Sequence, residues 1–211
     1  LRETLFKTKE YLARKEAAQG DITKMPAFDM KLEAMIPVIQ RELPLKCHAH
    51  RCDDILTVLR IAKEFDIKVT LDHCTDGEII KKQIKDSGFA AIVGPSLTHK
   101  SKYELANKSF KTPYELYKEG ILIAITTDSP VVPQEYLPLC AGLAMKEGLP
   151  EIEAVKAITI NAAKILGLDE RIGSLKVGKD ADMVICDGSI LDPQTTVYHT
   201  IIDGEIVYSK A

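Results

Sequence analysis

Three side chains of metal-binding type stand where predicted β-strands end: His48, His73 and Asp128. Two imidazoles and a carboxylate form a nitrogen and oxygen ligand set that suits zinc, with manganese and iron as alternatives, and leaves a position for water. A metal in such a site makes hydroxide available near neutral pH, and a nearby carboxylate can carry the proton to a leaving amine. The residue types therefore predict a hydrolytic metal site if the fold brings them together.

The chain around these residues alternates short apolar runs with amphipathic segments. Strands are predicted at residues 45–50, 68–74, 90–97 and 121–128, and helices at 53–65, 78–87 and 113–119 between them. Strands separated by helices indicate βαβ units and an α/β fold with a parallel sheet, part of a barrel or an open sheet. Because the carboxyl ends of barrel strands meet at one mouth, the three side chains are expected to converge there.

Strict alternation along a strand also predicts which side chains share a face. In the first strand Lys46, His48 and His50 are expected to share one face, and Cys47 to point to the other. In the second strand Val69, Leu71 and His73 are expected to share the inward face. A lysine is unexpected at an inward position below a metal ligand, and the sequence offers no account of Lys46.

The flanking segments differ from this βα pattern. Helices are predicted at residues 2–19 and 29–43 before it, and at 137–146 and 151–166 after it. Residues 181–186 and 196–208 are β-rich, and Asp203-Gly204 is a strong hairpin turn. We therefore divide the chain into a partial barrel at residues 1–168 and a C-terminal β portion at residues 169–211.

Composition narrows the class of function. A formal net charge of -3, from 28 basic and 31 acidic residues, gives no basic patch for nucleic acid or an anionic membrane, so a small-molecule substrate is expected. No apolar run reaches the roughly 20 residues that span a bilayer. Five cysteines without disulfide-like spacing favour a reducing compartment, and we expect a cytoplasmic protein.

Other interpretations compete at single residues. A lone histidine at a strand end is more often structural than a ligand, but three polar ends at βα spacing favour the metal site. Cys47, Cys52 and Cys74 could suggest structural zinc, but no C-x-x-C pair exists and Cys47 and Cys74 are expected to face away from the histidines. His99 contacts substrate or is solvated, and His199 is expected at the surface.

The strings around these residues resemble motifs of the metal-dependent amidohydrolase superfamily, in the branch with imidazolonepropionase and Xaa-Pro dipeptidases. The resemblance covers nearly all of the chain from Asp29 onward. The matching strings are KCHAHRCDDI at 46–55 (fifth-strand histidine), DHCTDG at 72–77 (sixth-strand histidine), TTDSP at 126–130 (eighth-strand aspartate), ITINAAKILG at 158–167 (the following helix) and GSLKVGKDADMVI at 173–185 (the C-terminal segment).

This resemblance implies the C-terminal half of a TIM-type (β/α)8 barrel, strands 5–8, with part of a small β-sandwich. It implies that His48, His73 and Asp128 bind a divalent metal, most often zinc, and that Asp128 also handles the proton. His50 and Arg51 would border the substrate.

The superfamily's first-strand His-x-His pair would have to lie well upstream, but only 47 residues precede His48. The pair His48 and His50 is not that motif, because the 25-residue step to His73 leaves no room for the intervening strands. The chain is therefore expected to be part of a longer enzyme and inactive alone. It would associate with the missing half or with another copy, and expose inward apolar residues such as Leu71.

The implied reaction is hydrolysis of an amide or cyclic amide C–N bond by metal-activated water. Deamination of a heterocycle is the nearest alternative, because it would use the same metal site. A non-catalytic half-domain that acts as an assembly partner is a further alternative.

Overall fold

The computed structural model describes residues 1–210, so residue 211 of the predicted C-terminal portion lies outside the described residues. The helices are α1 (Arg2–Ala18), α2 (Met30–Ile39), α3 (Cys52–Phe65), α4 (Lys81–Ser87), α5 (Thr112–Lys118), α6 (Leu137–Lys146), α7 (Glu151–Ala157) and α8 (Ile160–Leu166). The strands are β1 (Leu45–Ala49), β2 (Val69–His73), β3 (Ala90–Val93), β4 (Ile123–Ile125), β5 (Met183–Cys186), β6 (Val197–Ile202) and β7 (Glu205–Ser209). Short 3-10 turns follow β3 and β4, at Tyr103–Leu105 and Gln134–Tyr136.

Strands β1 to β4 form a parallel sheet in chain order. This confirms the predicted α/β class and the parallel sheet. A doubly wound sheet reverses its strand order partway, whereas these four strands advance in one direction, as barrel strands do. That the sheet is the second half of a closed barrel stays a prediction.

Helices α1 to α7 contribute side chains to the main core, which lies on one face of this sheet. Leu71 is 0% exposed and Val69 is 5% exposed, and both belong to the core on the helix side. The prediction that these two residues face inward was therefore wrong. In the register of β1 and β2, His48 lies beside Asp72, and the opposite, open face carries an ion pair of 2.9 Å between Lys46 and Asp72. The inward lysine thus has a charged partner on the neighbouring strand.

Several elements are shorter than predicted. Strand β3 ends at Val93 and β4 spans only Ile123–Ile125, because the chain turns into the loops that carry polar residues. The predicted helix at 151–166 is two helices, and Thr159 between them has φ -134° and ψ -102°, outside the helical region. Three consecutive β-branched residues at 158–160 crowd a helix backbone, which fits a break at this point.

The free edge of β4 is partly protected. The side-chain amide of Asn161 on α8 donates a hydrogen bond of 3.0 Å to the main-chain oxygen of Ile123, and Asn161 is buried. Ala162 and Ile165 of the same helix line a cleft with Ala124 on the open face. Helix α8 therefore closes one side of the open face.

Strands β5, β6 and β7 form a separate antiparallel sheet. Asp203 and Gly204, with φ 51° and 81°, make the turn between β6 and β7, which confirms the predicted hairpin. The predicted division after residue 168 falls in the segment between α8 and β5 and stays a prediction. Within residues 1–210, no helix combines the length and apolar composition needed to cross a bilayer.

Candidate metal centre

Three imidazoles meet at the carboxyl ends of β1 and β2. The rings of His48 and His73 have centroids 4.3 Å apart, those of His50 and His73 4.6 Å, and those of His48 and His50 4.8 Å. One nitrogen from each ring can be chosen so that all three nitrogens lie within 4.8 Å of one another. His48 is exposed on the open face, and His50 and His73 are each 7% exposed.

Different backbone conformations bring the rings of His48 and His73 together. His48 points to the open face by ordinary strand alternation. His73 would by the same rule face the helices, but its φ is 72° instead of the roughly -120° of a parallel strand. That change rotates its Cβ about the N–Cα bond to nearly the opposite side. A left-handed backbone at His73 therefore brings the ring beside His48.

A main-chain oxygen fixes the protonation of the His73 ring. Nδ1 of His73 lies 2.6 Å from the carbonyl oxygen of Gly94, and a carbonyl only accepts. Nδ1 must therefore carry the hydrogen, which leaves the lone pair on Nε2. A histidine held in this way is typical of metal ligands, whose second nitrogen donates to a carbonyl or carboxylate.

His50 is held in the neutral form that a metal ligand requires. Burial, followed by the neighbouring His73 and His48, lowers the pKa of His50 to about 4. Its Nδ1 lies 2.8 Å from the hydroxyl oxygen of Thr75. Three imidazoles with no carboxylate between them suit a divalent metal of intermediate softness. The donor set therefore fits the predicted metal.

Asp128 lies on a different part of the same sheet edge. It follows β4, is exposed, has φ 52°, and its N–H donates 3.1 Å to the hydroxyl of Thr126. It lines the open cleft of about 460 Å³ together with Lys46. Among the described residues, the cluster that could hold a metal contains His50 and does not contain Asp128. The predicted role of Asp128 as a ligand and proton carrier stays a prediction.

The two remaining predicted substrate residues are Arg51 and His99. Arg51 donates two hydrogen bonds of 2.9 and 3.0 Å to Asp53, and its guanidinium lies 5.2 Å from the centre of the Tyr103 ring. His99 is exposed, and its main-chain oxygen accepts a hydrogen bond of 2.8 Å from Lys108. Their contact with substrate stays a prediction.

The competing cysteine site has no support in the described residues. The thiols are free, and Cys47 and Cys74 are buried among the core residues. Burial raises the pKa of Cys47 to about 11 and that of Cys74 to about 12, whereas a metal needs the thiolate. No cysteine joins the cluster of possible metal ligands described above.

Asp76 organises this edge, although the sequence analysis did not single it out. Asp76 is 7% exposed. Its carboxylate accepts hydrogen bonds from the N–H of Cys52 at 3.1 Å and from the side-chain amide of Asn107 at 2.9 Å. Its own N–H donates a hydrogen bond of 2.8 Å to the main-chain oxygen of His50. One buried carboxylate thus joins the end of β1, the start of α3 and the loop after β3. No pattern in the sequence predicts this role.

Replacing Gly94 by alanine should destabilise the protein by about 3 kcal/mol or more and disturb the His73 ring. Gly94 has φ 133°, and a Cβ there would overlap the carbonyl oxygen of Thr126. Gly88→Ala is the matched control, because Gly88 also has a positive φ of 72° but open space around it, and should lose only about 1 kcal/mol. Urea unfolding of both variants measures the difference. Equal losses would show that the overlap at Gly94 is relieved without consequence.

Comparison with known proteins identifies the family of the chain. A model of the amidohydrolase family matches residues 35–207. An amidohydrolase of known structure from Thermotoga maritima is 39% identical and superposes with a TM-score of 0.94 over 99% of this chain and 55% of that chain. The chain is also 31% identical over 155 residues to a 5-methylthioadenosine/S-adenosylhomocysteine deaminase from Thermoanaerobacter pseudethanolicus, covering 66% of this chain and 33% of the relative.

An imidazolonepropionase from Sphingopyxis alaskensis is 31% identical over 131 residues, covering 61% of this chain and 30% of the relative. The chain thus spans about a third of these two curated relatives and just over half of the Thermotoga protein. The match to the family model includes both strands that carry the histidines, the loop with Asp128 and most of the antiparallel sheet. The resemblance predicted from the motifs is confirmed, and the chain belongs to the amidohydrolase family.

Proposed function

We propose that this chain provides part of the active site of a metal-dependent hydrolase that cleaves the C–N bond of an amide or cyclic amide. The observation that carries the proposal is the convergence of three imidazoles at the carboxyl ends of adjacent parallel strands. That edge is where parallel barrels hold their chemistry. Relatives of the chain are named as an amidohydrolase and as a deaminase.

In this proposal His48 and His73 hold a divalent metal, most often zinc, and His50 lies close enough to share in it. When bound, the metal would supply a water acidic enough to react near neutral pH. The hydrogen bond from Nδ1 of His73 to the carbonyl oxygen of Gly94 leaves Nε2 without a hydrogen and directs it at the site. The carboxylate of Asp128 takes a proton from the attacking water and returns it to the departing nitrogen.

Deamination of a heterocycle is the second candidate. It is favoured by the 31% identity to a relative named as a deaminase, over a longer segment than the match to imidazolonepropionase. Both reactions use water as the nucleophile and release nitrogen from carbon. They differ in the leaving group, which is ammonia in a deamination and an amine or ring nitrogen in the hydrolysis of a substituted or cyclic amide.

We further propose that the four-stranded sheet is strands 5–8 of a barrel whose remaining strands come from further residues of the same polypeptide. The open face supports this, because it carries the ion pair of Lys46 and Asp72 beside an open cleft. Both outer strands, β1 and β4, have a neighbour on only one side in the described residues. Association with a second copy of the chain is the alternative way to cover this face.

The test uses the protein expressed from its complete reading frame, loaded in turn with zinc, manganese and iron. It is offered N-acyl amino acids, cyclic amides and adenosine, and both ammonia and newly formed carboxylate are measured. Carboxylate formation without ammonia supports the hydrolase. Release of ammonia from adenosine, with no reaction of the other substrates, would instead support the deaminase. A metal-loaded protein that releases neither product would favour a binding or assembly role.

A further inference from the structure

The loop after β3 is held beside His50 and His73. We call residues 98–111 the lysine loop. The amide of Asn107 donates to Asp76, whose N–H in turn bonds the oxygen of His50. Tyr103 of this loop stacks on Arg51, the residue after His50. Lys102 and Glu104 lie near enough to His50 to influence its pKa in opposite directions. The lysine loop therefore forms one wall of the site.

This wall carries an excess of positive charge. The lysine loop contains four lysines and a single acidic residue, Glu104. Two of the lysines have carboxylate partners in the described residues, since Lys111 bonds Glu78 at 2.9 Å and Lys102 lies 3.6 Å from Glu104. The other two, Lys100 and Lys108, donate only to neutral oxygens. The guanidinium of Arg51 is already paired with Asp53.

Of the two lysines without a carboxylate partner, Lys108 is the unusual one. It is 8% exposed, while Lys100 is exposed. Its ammonium donates to the hydroxyl of Thr98 and the main-chain oxygen of His99. A buried cation is rare unless an anion accompanies it, because burial removes its hydration. Burial and the nearby Lys100 lower the pKa of Lys108, as expected of a cation that lacks a counter-ion.

Lys108 also lies beside the candidate metal centre. It lines a small recess together with His73, Thr75 and Thr112. The recess measures about 10 Å³, roughly the space of one water molecule. It can therefore take one oxygen atom of a substrate group, and its walls offer a cation and hydroxyl donors. A single buried positive charge matches a monoanion.

We propose that Lys108 binds a carboxylate of the substrate, and that the preferred substrates of this site are acyl compounds or cyclic amides that carry a free carboxylate. The inference rests on the proposed function for its catalytic consequence. Because the recess is next to His73, the carboxylate lies close to the bond that is cleaved. A neutral heterocycle gains nothing from Lys108, so this specificity favours amide hydrolysis over deamination.

The catalytic test compares two matched substrates on the complete, zinc-loaded protein. N-acetylglycine carries a carboxylate where N-acetylglycinamide carries a neutral amide of the same shape. Lys108→Met should raise KM for N-acetylglycine about tenfold or more and leave KM for N-acetylglycinamide within twofold. Lys100→Met, which removes the exposed lysine of the same loop, should change neither by more than about twofold. An equal loss for both substrates in Lys108→Met, or no loss for either, overturns the proposal.

A second measurement separates this inference from the proposed function. Metal-stripped complete protein is titrated calorimetrically with N-acetylglycine and with N-acetylglycinamide, so that neither a bound metal nor turnover contributes. The carboxylate should bind at least about tenfold more tightly, and Lys108→Arg, which keeps the charge if Lys108→Met fails to fold, should retain that preference. Equal binding of both probes overturns the carboxylate site even in an active hydrolase. Preferential binding in a protein without amidase activity upholds it while the proposed reaction fails.

Discussion

His73→Ala should lower the zinc affinity of the complete protein, and its amidase turnover, by about 100-fold or more. The ring contributes one of three converging nitrogens, and its orientation is fixed by the 2.6 Å contact with Gly94. Alanine keeps the same unfavourable backbone at position 73. The metal-free protein should therefore lose only about 1 kcal/mol of stability, the worth of the missing hydrogen bond. Elemental analysis after dialysis and a progress curve on the same sample measure both effects.

His199→Ala is the matched control for this substitution. His199 is a histidine of β6, and its ring meets Ser209 at 3.0 Å on the antiparallel sheet. It should leave zinc content and turnover within about twofold of the parent. Undiminished zinc in His73→Ala would rule out this histidine as a ligand.

Asp128→Asn should lower turnover by about 100-fold to 10,000-fold, the usual range for loss of a proton-transferring group, while zinc content stays within about twofold. Asparagine has nearly the same shape but cannot accept a proton at neutral pH. The exposure of Asp128 beside the open cleft, outside the histidine cluster, agrees with a larger effect on chemistry than on metal binding.

The comparison for Asp128 is Asp86→Asn, the same change on an exposed position of α4. It should alter neither turnover nor zinc content by more than about twofold. If Asp128→Asn loses zinc and turnover in equal proportion, Asp128 acts only as a ligand. If it loses neither, the proton carrier is another group.

The parallel sheet could be predicted because its signals are local. Short apolar runs between amphipathic helices define βα units, and each of the four predicted strands contains an observed one. The break in the helix at 151–166 was missed, since hydrophobic periodicity continues through Thr159 while its backbone does not. The ends of β3 and β4 were placed too late for a similar reason. Apolar residues continue into segments whose paths are set by contacts with other parts of the chain.

The histidine cluster was predicted only in part. His48 follows strand alternation, so its face could be inferred from the sequence. Strand alternation predicted that Leu71 and His73 share the inward face. Leu71 packs in the core instead. His73 nevertheless reaches the open face, because its left-handed backbone reverses the direction of its side chain. Strand alternation placed His50 on the same face as His48, but the resemblance assigned it to the substrate border, so its place among the possible metal ligands was not predicted. The position of the carboxylate of Asp76 could not be predicted, because its partners come from three distant segments.

The backbone at His73 and Cys74 has a consequence for how the protein can be improved. Both residues hold positive φ values, 72° and 48°, which cost a side-chain-bearing residue about 1–2 kcal/mol each. Glycine would be the more stable residue at position 73, but it has no imidazole. The fold is thus less stable than it could be at the place where it positions the proposed metal ligand His73. Selection for thermostability alone should favour glycine here and remove the proposed metal ligand, so stabilising libraries built on this scaffold should hold position 73 fixed.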